Sequence, residues 1–252
     1  MKKRLVIANW KMYVEEPANA VEYAKSLRTK MRGLPNVIVG IAAPSIFIPE
    51  VSKALKRSPV DVGAQAVSRY HADAHTGDVS AKMVKNAGAT FAIVGHSERR
   101  AMGETDDIIR TQVLEVGAAG LGVVLCVGER ERDLAGDHFS FIKAQLSSAL
   151  LNLPKKTISN LVIAYEPVWA IGKHASDAMS PQDIQETVIF IRKALTEILG
   201  RDAALKMYIL YGGSVEAENA AAILKEGGVN GFLVGHASAS LDTFLPILKA
   251  CK

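Results

Sequence analysis

The sequence has few cysteines, no long apolar run and no strong excess of charge. Its two cysteines, Cys126 and Cys251, stand in different settings, and two thiols among 252 residues do not make a disulfide framework. The apolar stretch near the start, Leu5 to Ala8, is too short for the core of a signal peptide, and no segment approaches the length of a membrane span. We therefore expect reduced thiols, a cytoplasmic location and no membrane partner.

The charges are nearly balanced, with 30 Lys and Arg against 26 Asp and Glu and a net charge of +4. They are interspersed along the chain, and no basic run is longer than Lys2 to Arg4. A basic face of the kind that binds nucleic acid is therefore not indicated, whereas a small anionic ligand is tolerated. The charge pattern favours a small-molecule ligand and argues against a nucleic-acid partner.

Short apolar runs alternate with longer segments of helical periodicity along the whole chain. The runs are continuous, as in strands that are buried on both faces of a parallel sheet. Eight such alternations over about 250 residues predict an α/β fold, a single (β/α)8 barrel domain over residues 1–252. A doubly wound open sheet is the alternative, although the first run lacks the G-x-G-x-x-G of its dinucleotide-binding form. The runs are Leu5–Asn9, Val37–Ala43, Val60–Ala64, Phe91–Gly95, Gly122–Gly128, Leu161–Tyr165, Met207–Tyr211 and Gly231–Gly235.

Eight helical segments are expected between and after these runs. The segment Pro17 to Arg32 has apolar residues at helical spacing. The segment Pro181 to Leu199 follows a capping residue, Ser180, and ends at Gly200. These start and stop signals support the alternation of strands with helices.

Polar residues follow several of the predicted strands. Asn9 and Lys11 end the first run, His96 and Glu98 follow the fourth, and Glu166 follows the sixth. Enzymes with this barrel place their chemistry at the carboxyl ends of the strands. A lysine, a histidine and a carboxylate at one mouth would supply a cation, a hydrogen-bond donor and a base.

Four motifs together resemble the triosephosphate isomerase family: N-W-K at Asn9–Lys11, G-H-S-E-R-R at Gly95–Arg100, A-Y-E-P-V-W-A-I-G at Ala164–Gly172 and Y-G-G-S-V at Tyr211–Val215. The likeness extends to G-F-L-V-G at Gly231–Gly235, so it covers essentially the whole chain. It implies the interconversion of dihydroxyacetone phosphate and D-glyceraldehyde 3-phosphate, a step of glycolysis and gluconeogenesis. By the same resemblance, no cofactor and no metal are expected.

The resemblance also implies roles for residues at the mouth. Glu166 is expected to be the base that moves a carbon-bound proton, and His96 the neutral electrophile that polarises the carbonyl. Lys11 is expected to stabilise the oxyanion and attract the phosphate, with Asn9 adding a donor. Glu98 is expected in a supporting catalytic role. Structural ion pairs are the alternative for Glu98 and for Glu129, as anchors of Arg99 and the neighbouring loops.

Phosphate binding is expected from backbone N–H groups of glycine-rich turns. The family match points to Gly172, Ser214, Gly235 and His236. In addition, the likeness implies a homodimer, in which Thr76 of one subunit meets the Asn9 and Lys11 of its neighbour.

Two departures from the family pattern lie in segments that the resemblance assigns to the site. The loop after Gly172 reads Lys173, His174, Ala175 and is two residues longer, and His236 stands where a second glycine is usual. A related phosphate-sugar isomerase and a catalytically impaired phosphate-binding barrel therefore stay open as alternatives.

A metal reading of the H-A-D-A-H stretch, with its three potential ligands His71, Asp73 and His75, is disfavoured because no further ligand is apparent.

Overall fold

The computed structural model describes residues 3–132, 135–172 and 178–252. Eight parallel strands follow one another around a closed barrel in the order β1 to β8. The fold predicted from the sequence is thereby confirmed. The strands are β1 (Arg4–Asn9), β2 (Val37–Ala43), β3 (Val60–Ala64), β4 (Phe91–Val94), β5 (Gly122–Val127), β6 (Leu161–Tyr165), β7 (Tyr208–Tyr211) and β8 (Gly231–Val234).

The helices surround this barrel and are more numerous than the eight segments expected, because three connections hold a short helix beside a longer one. Within the described ranges they are α1 (Pro17–Lys30), α2 (Ile48–Ala54), α3 (Ala81–Asn86), α4 (Ser97–Ala101), α5 (Asp106–Ala118), α6 (Asp137–Leu150), α7 (Lys155–Ser159), α8 (Pro181–Leu199), α9 (Arg201–Lys206), α10 (Ala217–Glu226) and α11 (Leu241–Ala250). In the part of the chain that the structure describes, no helix has the length and apolar character needed to cross a membrane.

The start and end of α8 show how sequence signals fix an element. The Ser180 hydroxyl accepts a hydrogen bond from the Asp183 N–H at 3.1 Å, and Pro181 occupies the first turn, where its missing N–H costs nothing. The helix ends at Gly200, whose φ of 86° suits glycine. The predicted bounds of α8 are confirmed. By contrast, the segment predicted to run to Arg32 is helical only to Lys30 and then tightens into a 3₁₀ turn.

Strand side chains are buried on both faces. Val6 and Ala8 pack outward against the helices, whereas Ile7 points into the barrel. The barrel interior holds a separate apolar cluster, which includes Ile93, Val124, Cys126, Leu210 and Leu233. This double burial explains why the strands read as continuous apolar runs.

Phe91 occupies part of the barrel interior towards the amino ends of the strands. Its ring lies against Gly40 and Gly63, where added Cβ atoms would meet the ring; a Cβ on Gly40 would come within 2.8 Å of it. Glycine at these two positions therefore makes room for one large aromatic side chain on the neighbouring strand.

The strands are not joined equally around the ring. β1 and β2 are registered over six residue pairs, from Arg4 with Val37 to Asn9 with Ala42. The register of β7 on β8, both of which lie in the described ranges, rests on one pair, Tyr211 with Phe232. This is the shortest ladder of the ring, and Asn230, just before β8, adds two hydrogen bonds to it: its N–H donates to the Ile209 carbonyl at 2.7 Å and its Oδ1 accepts from the Ile209 N–H at 2.9 Å.

Candidate active site

A cavity of about 440 Å³ opens at the carboxyl ends of the strands. Asn9, Lys11, His96 and Glu166 line it. The turns after β7 and β8 also line it, together with Gly172. The structure thus brings together residues that lie more than 150 positions apart in the sequence, from Asn9 to Glu166.

His96 and Glu166 are in direct contact at the bottom of this cavity. The distance between His96 Nε2 and Glu166 Oε1 is 3.2 Å, and the Ser97 N–H donates to Glu166 Oε2 at 2.9 Å. Glu166 is 2% exposed and His96 is 7% exposed. A carboxylate so deeply buried requires such polar partners, because an unpaired buried charge is strongly unfavourable.

The hydrogen bonds of His96 define its tautomer. The Glu98 N–H donates to His96 Nδ1 at 3.2 Å, so Nδ1 acts as an acceptor and carries no proton. The ring proton is therefore on Nε2, which faces the Glu166 carboxylate. The imidazole is neutral in this arrangement and presents one N–H donor to the cavity.

Lys11 is held in an unusual backbone conformation. Its φ is 46°, in the left-handed region that residues other than glycine seldom adopt. The backbone is fixed on both sides, since the Lys11 N–H donates to Asn9 Oδ1 at 3.2 Å and the Lys11 carbonyl accepts from Gln65 Nε2 at 2.9 Å. This conformation places the ammonium group at the cavity.

The Lys11 ammonium forms an ion pair with Glu98, with 2.6 Å between Nζ and Oε1. Partial burial raises the pKa of Glu98, but the hydrogen bond and the positive charge of Lys11 outweigh it, and the pKa lies below its ordinary value. Glu98 therefore acts on the cavity indirectly, through its ion pair with the Lys11 ammonium.

The four residues expected at the phosphate all belong to this cavity. Gly172, Ser214, Gly235 and His236 all line it. Gly172 has a φ of 73°, and a Cβ on Gly235 would lie 3.3 Å from Lys11 Cε. Glycine at both positions therefore keeps backbone N–H groups accessible from the cavity.

The structure corrects the expected anchoring of Arg99. Arg99 pairs with Glu104, at 2.7 Å between Nη2 and Oε1, and with neither of the two glutamates considered for it. Glu129 instead accepts hydrogen bonds from the Tyr165 hydroxyl and from Trp169 Nε1, each at 2.9 Å. It ties the end of β6 to the turn that follows Glu166, a role that no local sequence signal reveals.

The sequence analysis missed several residues of the site, among them Tyr13 and Cys126. Tyr13 lines the cavity, and Cys126 lies in the barrel interior close to Glu166. Burial, reinforced by the Glu166 carboxylate, raises the pKa of the Cys126 thiol well above its ordinary value. The thiol therefore stays protonated and is not a nucleophile.

Thr76 and the H-A-D-A-H residues lie in the long loop after β3, away from this cavity. Thr76 is exposed within a turn. His71 pairs with Glu115 at 2.8 Å, and His75 stacks on Tyr70 with ring centroids 3.4 Å apart. Within the described ranges, no three His, Cys, Asp or Glu residues are grouped to hold a metal.

The altered loop after Gly172 lies mostly outside the described residues. The structure does not describe residues 173–177, which include His174, so the expectation about its lengthened tip is not tested. His236, the other departure, is described and is exposed at the cavity rim.

Comparison with known proteins gives one consistent result. The family model described as triosephosphate isomerase matches residues 4–251. The triosephosphate isomerase of Fusobacterium nucleatum subsp. nucleatum is 40% identical over 251 residues, which cover 98% of this chain and 99% of the relative. The triosephosphate isomerases of Lawsonia intracellularis (39% identical, 98% of each chain) and Carboxydothermus hydrogenoformans (36% identical, 99% of each chain) are similar over the same extent.

Proposed function

The chain belongs to the triosephosphate isomerase family, and from that premise we propose how its barrel mouth interconverts dihydroxyacetone phosphate and D-glyceraldehyde 3-phosphate. The reaction is an aldose–ketose isomerisation, in which a proton leaves one carbon and returns to its neighbour through an enediolate. The observation that carries the residue assignment is the buried contact between Glu166 and a neutral His96. The alternatives of another phosphate-sugar isomerase and an impaired barrel are not favoured.

Glu166 is the base in this proposal. In the structure its two carboxylate oxygens are occupied by His96 and by the Ser97 N–H. Substrate binding must replace these contacts, because both Glu166 and His96 are needed at the substrate. Once the carboxylate faces the carbon-bound proton in a site closed to water, it loses solvation and becomes a stronger base.

His96 and Lys11 stabilise the charge that develops on oxygen. The Nε2–H of His96 is placed to donate to the carbonyl oxygen, and the fixed Nδ1 acceptor keeps the proton on that side of the ring. Lys11 supplies a preorganised positive charge, and such charges act most strongly in a site that excludes water. Asn9 holds the Lys11 backbone and adds a donor near the mouth.

The phosphate lies at the other end of the cavity in this proposal. Backbone N–H groups at Gly172, Ser214, Gly235 and His236 surround it, and glycine-rich turns of this kind bind anions through such groups. Glu98 holds the Lys11 ammonium in place and is a positioning residue.

We further propose that the chain is a homodimer. Exposed apolar side chains follow β1, β2 and β4 at the mouth: Met12 is 86% exposed, Ile46 is 74% exposed and Met102 is 76% exposed. A second copy covering this face would remove them from water, with Thr76 on the loop after β3 reaching into the partner.

A cytoplasmic location and a single domain over residues 1–252 complete the proposal. Both cysteines are free and buried, which suits a reducing compartment.

The test is isomerisation of D-glyceraldehyde 3-phosphate by the purified chain and by Glu166→Gln. We expect kcat to fall by roughly 10³-fold or more in the variant, because the general base is lost. Glu197→Gln is the matched control, since Glu197 pairs with Lys143 on the outside of the barrel. Run in D₂O, the wild type should incorporate solvent deuterium into the product. Comparable kcat in wild type and Glu166→Gln would exclude Glu166 as the base.

A further inference from the structure

His236 stands at the phosphate end of the cavity. It directly follows Gly235 at the end of β8 and begins the 3₁₀ turn His236–Ser238. Its side chain is exposed and lines the same cavity as Lys11 and Gly235. The imidazole is therefore accessible to a ligand that occupies this end.

The imidazole ring is held in place by Tyr13. The two rings meet edge to face, with centroids 5.3 Å apart and an angle of 72° between their planes. Tyr13 is itself fixed to its turn, because its N–H donates to the Trp10 carbonyl at 3.0 Å. Such aromatic contacts stabilise one arrangement over others, so the imidazole is positioned at the rim.

The chemistry of this side chain differs from that of the turns around it. Backbone N–H groups offer only partial charges, whereas an imidazole offers an N–H donor when neutral and two N–H donors with a positive charge when protonated. The ammonium of Lys11 is already engaged by Glu98 at 2.6 Å. A second nitrogen donor on the phosphate side would therefore add to the binding of a phosphate dianion.

We propose that the imidazole of His236 donates a hydrogen bond to a phosphate oxygen of the bound triose phosphate. His236 is then a binding residue of this chain through its side chain as well as through its backbone. The inference rests on the proposed phosphate site but adds a contact that glycine at this position could not make.

Two substitutions test the N–H donor of His236 separately from its ring. His236→Phe keeps a ring against Tyr13 and removes the N–H, whereas His236→Gln restores an N–H donor of similar reach. We expect KM for D-glyceraldehyde 3-phosphate to rise about tenfold in His236→Phe with kcat within about twofold of wild type, because a hydrogen bond to a charged group is lost from both ground and transition states. His236→Gln should recover most of the loss.

A second readout uses inorganic phosphate alone. Its Kd, measured by calorimetry, should rise by about the same factor as KM in His236→Phe, since both report the phosphate contact. His236→Gly, which removes the whole side chain, should behave like His236→Phe and replaces it if the Phe variant does not fold.

The outcomes separate this inference from the proposed function. Unchanged KM and unchanged phosphate Kd in both donor-free variants, or a fall in kcat at constant KM, would overturn the role of the imidazole. Loss of turnover and phosphate binding in the wild type itself would instead overturn the proposed function.

Discussion

The two ends of the barrel are built from the same eight strands but have opposite chemistry. At the carboxyl ends, a cavity of about 440 Å³ contains the buried polar residues Asn9, His96 and Glu166. At the amino ends the cavity is larger, about 810 Å³, but its lining is mostly apolar and includes Phe91 and Val162. The larger cavity is therefore not the candidate site, whereas the convergence of buried ionisable groups favours the carboxyl ends of the strands.

Residues at the amino ends of the strands contribute mainly to stability, whereas residues at the carboxyl ends supply the reactive groups. Phe91, packed against Gly40 and Gly63, occupies part of the interior at one end and holds no group that reacts. At the other end the chain adopts a strained backbone at Lys11 and buries a carboxylate, both of which disfavour folding. Packing at the amino end of the barrel therefore stabilises the fold and offsets the unfavourable backbone strain and carboxylate burial at the carboxyl end.

The largest effect that tests this separation is expected from Phe91→Ala. Removing a buried aromatic ring leaves a cavity and should lower the free energy of unfolding by about 3–5 kcal/mol. The value of kcat/KM at 25 °C should stay within about twofold of wild type in the folded fraction. Urea unfolding at fixed protein concentration and initial rates measure the two quantities. A large loss of kcat/KM with little loss of stability would contradict the assignment of Phe91 to stability alone.

At the mouth, Lys11→Met should have the converse effect. We expect kcat/KM to fall by roughly 10²- to 10³-fold, about 3–4 kcal/mol, because a preorganised charge is removed from the transition state. Stability should change much less, since the ion pair with Glu98 is partly exposed. Lys143→Met, on the outer helix α6, is the matched control and should leave the rate unchanged. Equal rates for wild type and Lys11→Met would contradict the assignment.

A smaller effect is expected from Gly63→Ala at the amino end. The added methyl group would collide with the Phe91 ring and should cost about 1–3 kcal/mol of stability. The double variant Gly63→Ala with Phe91→Leu should recover part of that loss, because the smaller side chain makes room. A double-mutant cycle of urea unfolding measures the coupling, and strict additivity would show that the two residues do not share the space.

The smallest effect concerns the ion pair between Lys11 and Glu98. Because the folded pKa of Glu98 is lowered, the pair contributes stability above the unfolded pKa, and this contribution is lost as the pH falls through the folded pKa. Glu98 is more than half exposed, so Glu98→Gln should cost less than about 1 kcal/mol at pH 7. The difference from wild type should vanish once the pH lies below the folded pKa of Glu98. A stability difference between wild type and Glu98→Gln that grows on acidification would contradict the predicted direction of the pH dependence.

Much of the fold could be predicted because local and global signals agree. The bounds of β2, β3, β6 and α8 match the apolar runs and caps read from the sequence. Short helices such as α4 were missed, since a few residues carry too little periodicity to be recognised. The split of helical segments depends on how each connection packs, which the sequence pattern does not encode.

The candidate site was only partly predictable for a related reason. Strand order brings the residues after β1, β4 and β6 to one mouth, so Lys11, His96 and Glu166 could be anticipated. The partners of Glu98 and Glu129 could not be predicted, because the neighbour that a side chain contacts depends on the three-dimensional packing. The contact between Tyr13 and His236, more than 200 residues apart, is of the same kind.

The short ladder between β7 and β8 gives the proposed phosphate site a second consequence. The two strands are registered through Tyr211 and Phe232, and the turns that follow them carry Ser214 and Gly235. A ligand held by both turns links the two strands that share the shortest ladder and stabilises the native state by mass action. The lifetime of the protein before proteolysis should therefore rise with the supply of its own substrate, so that metabolic flux protects the enzyme that carries it.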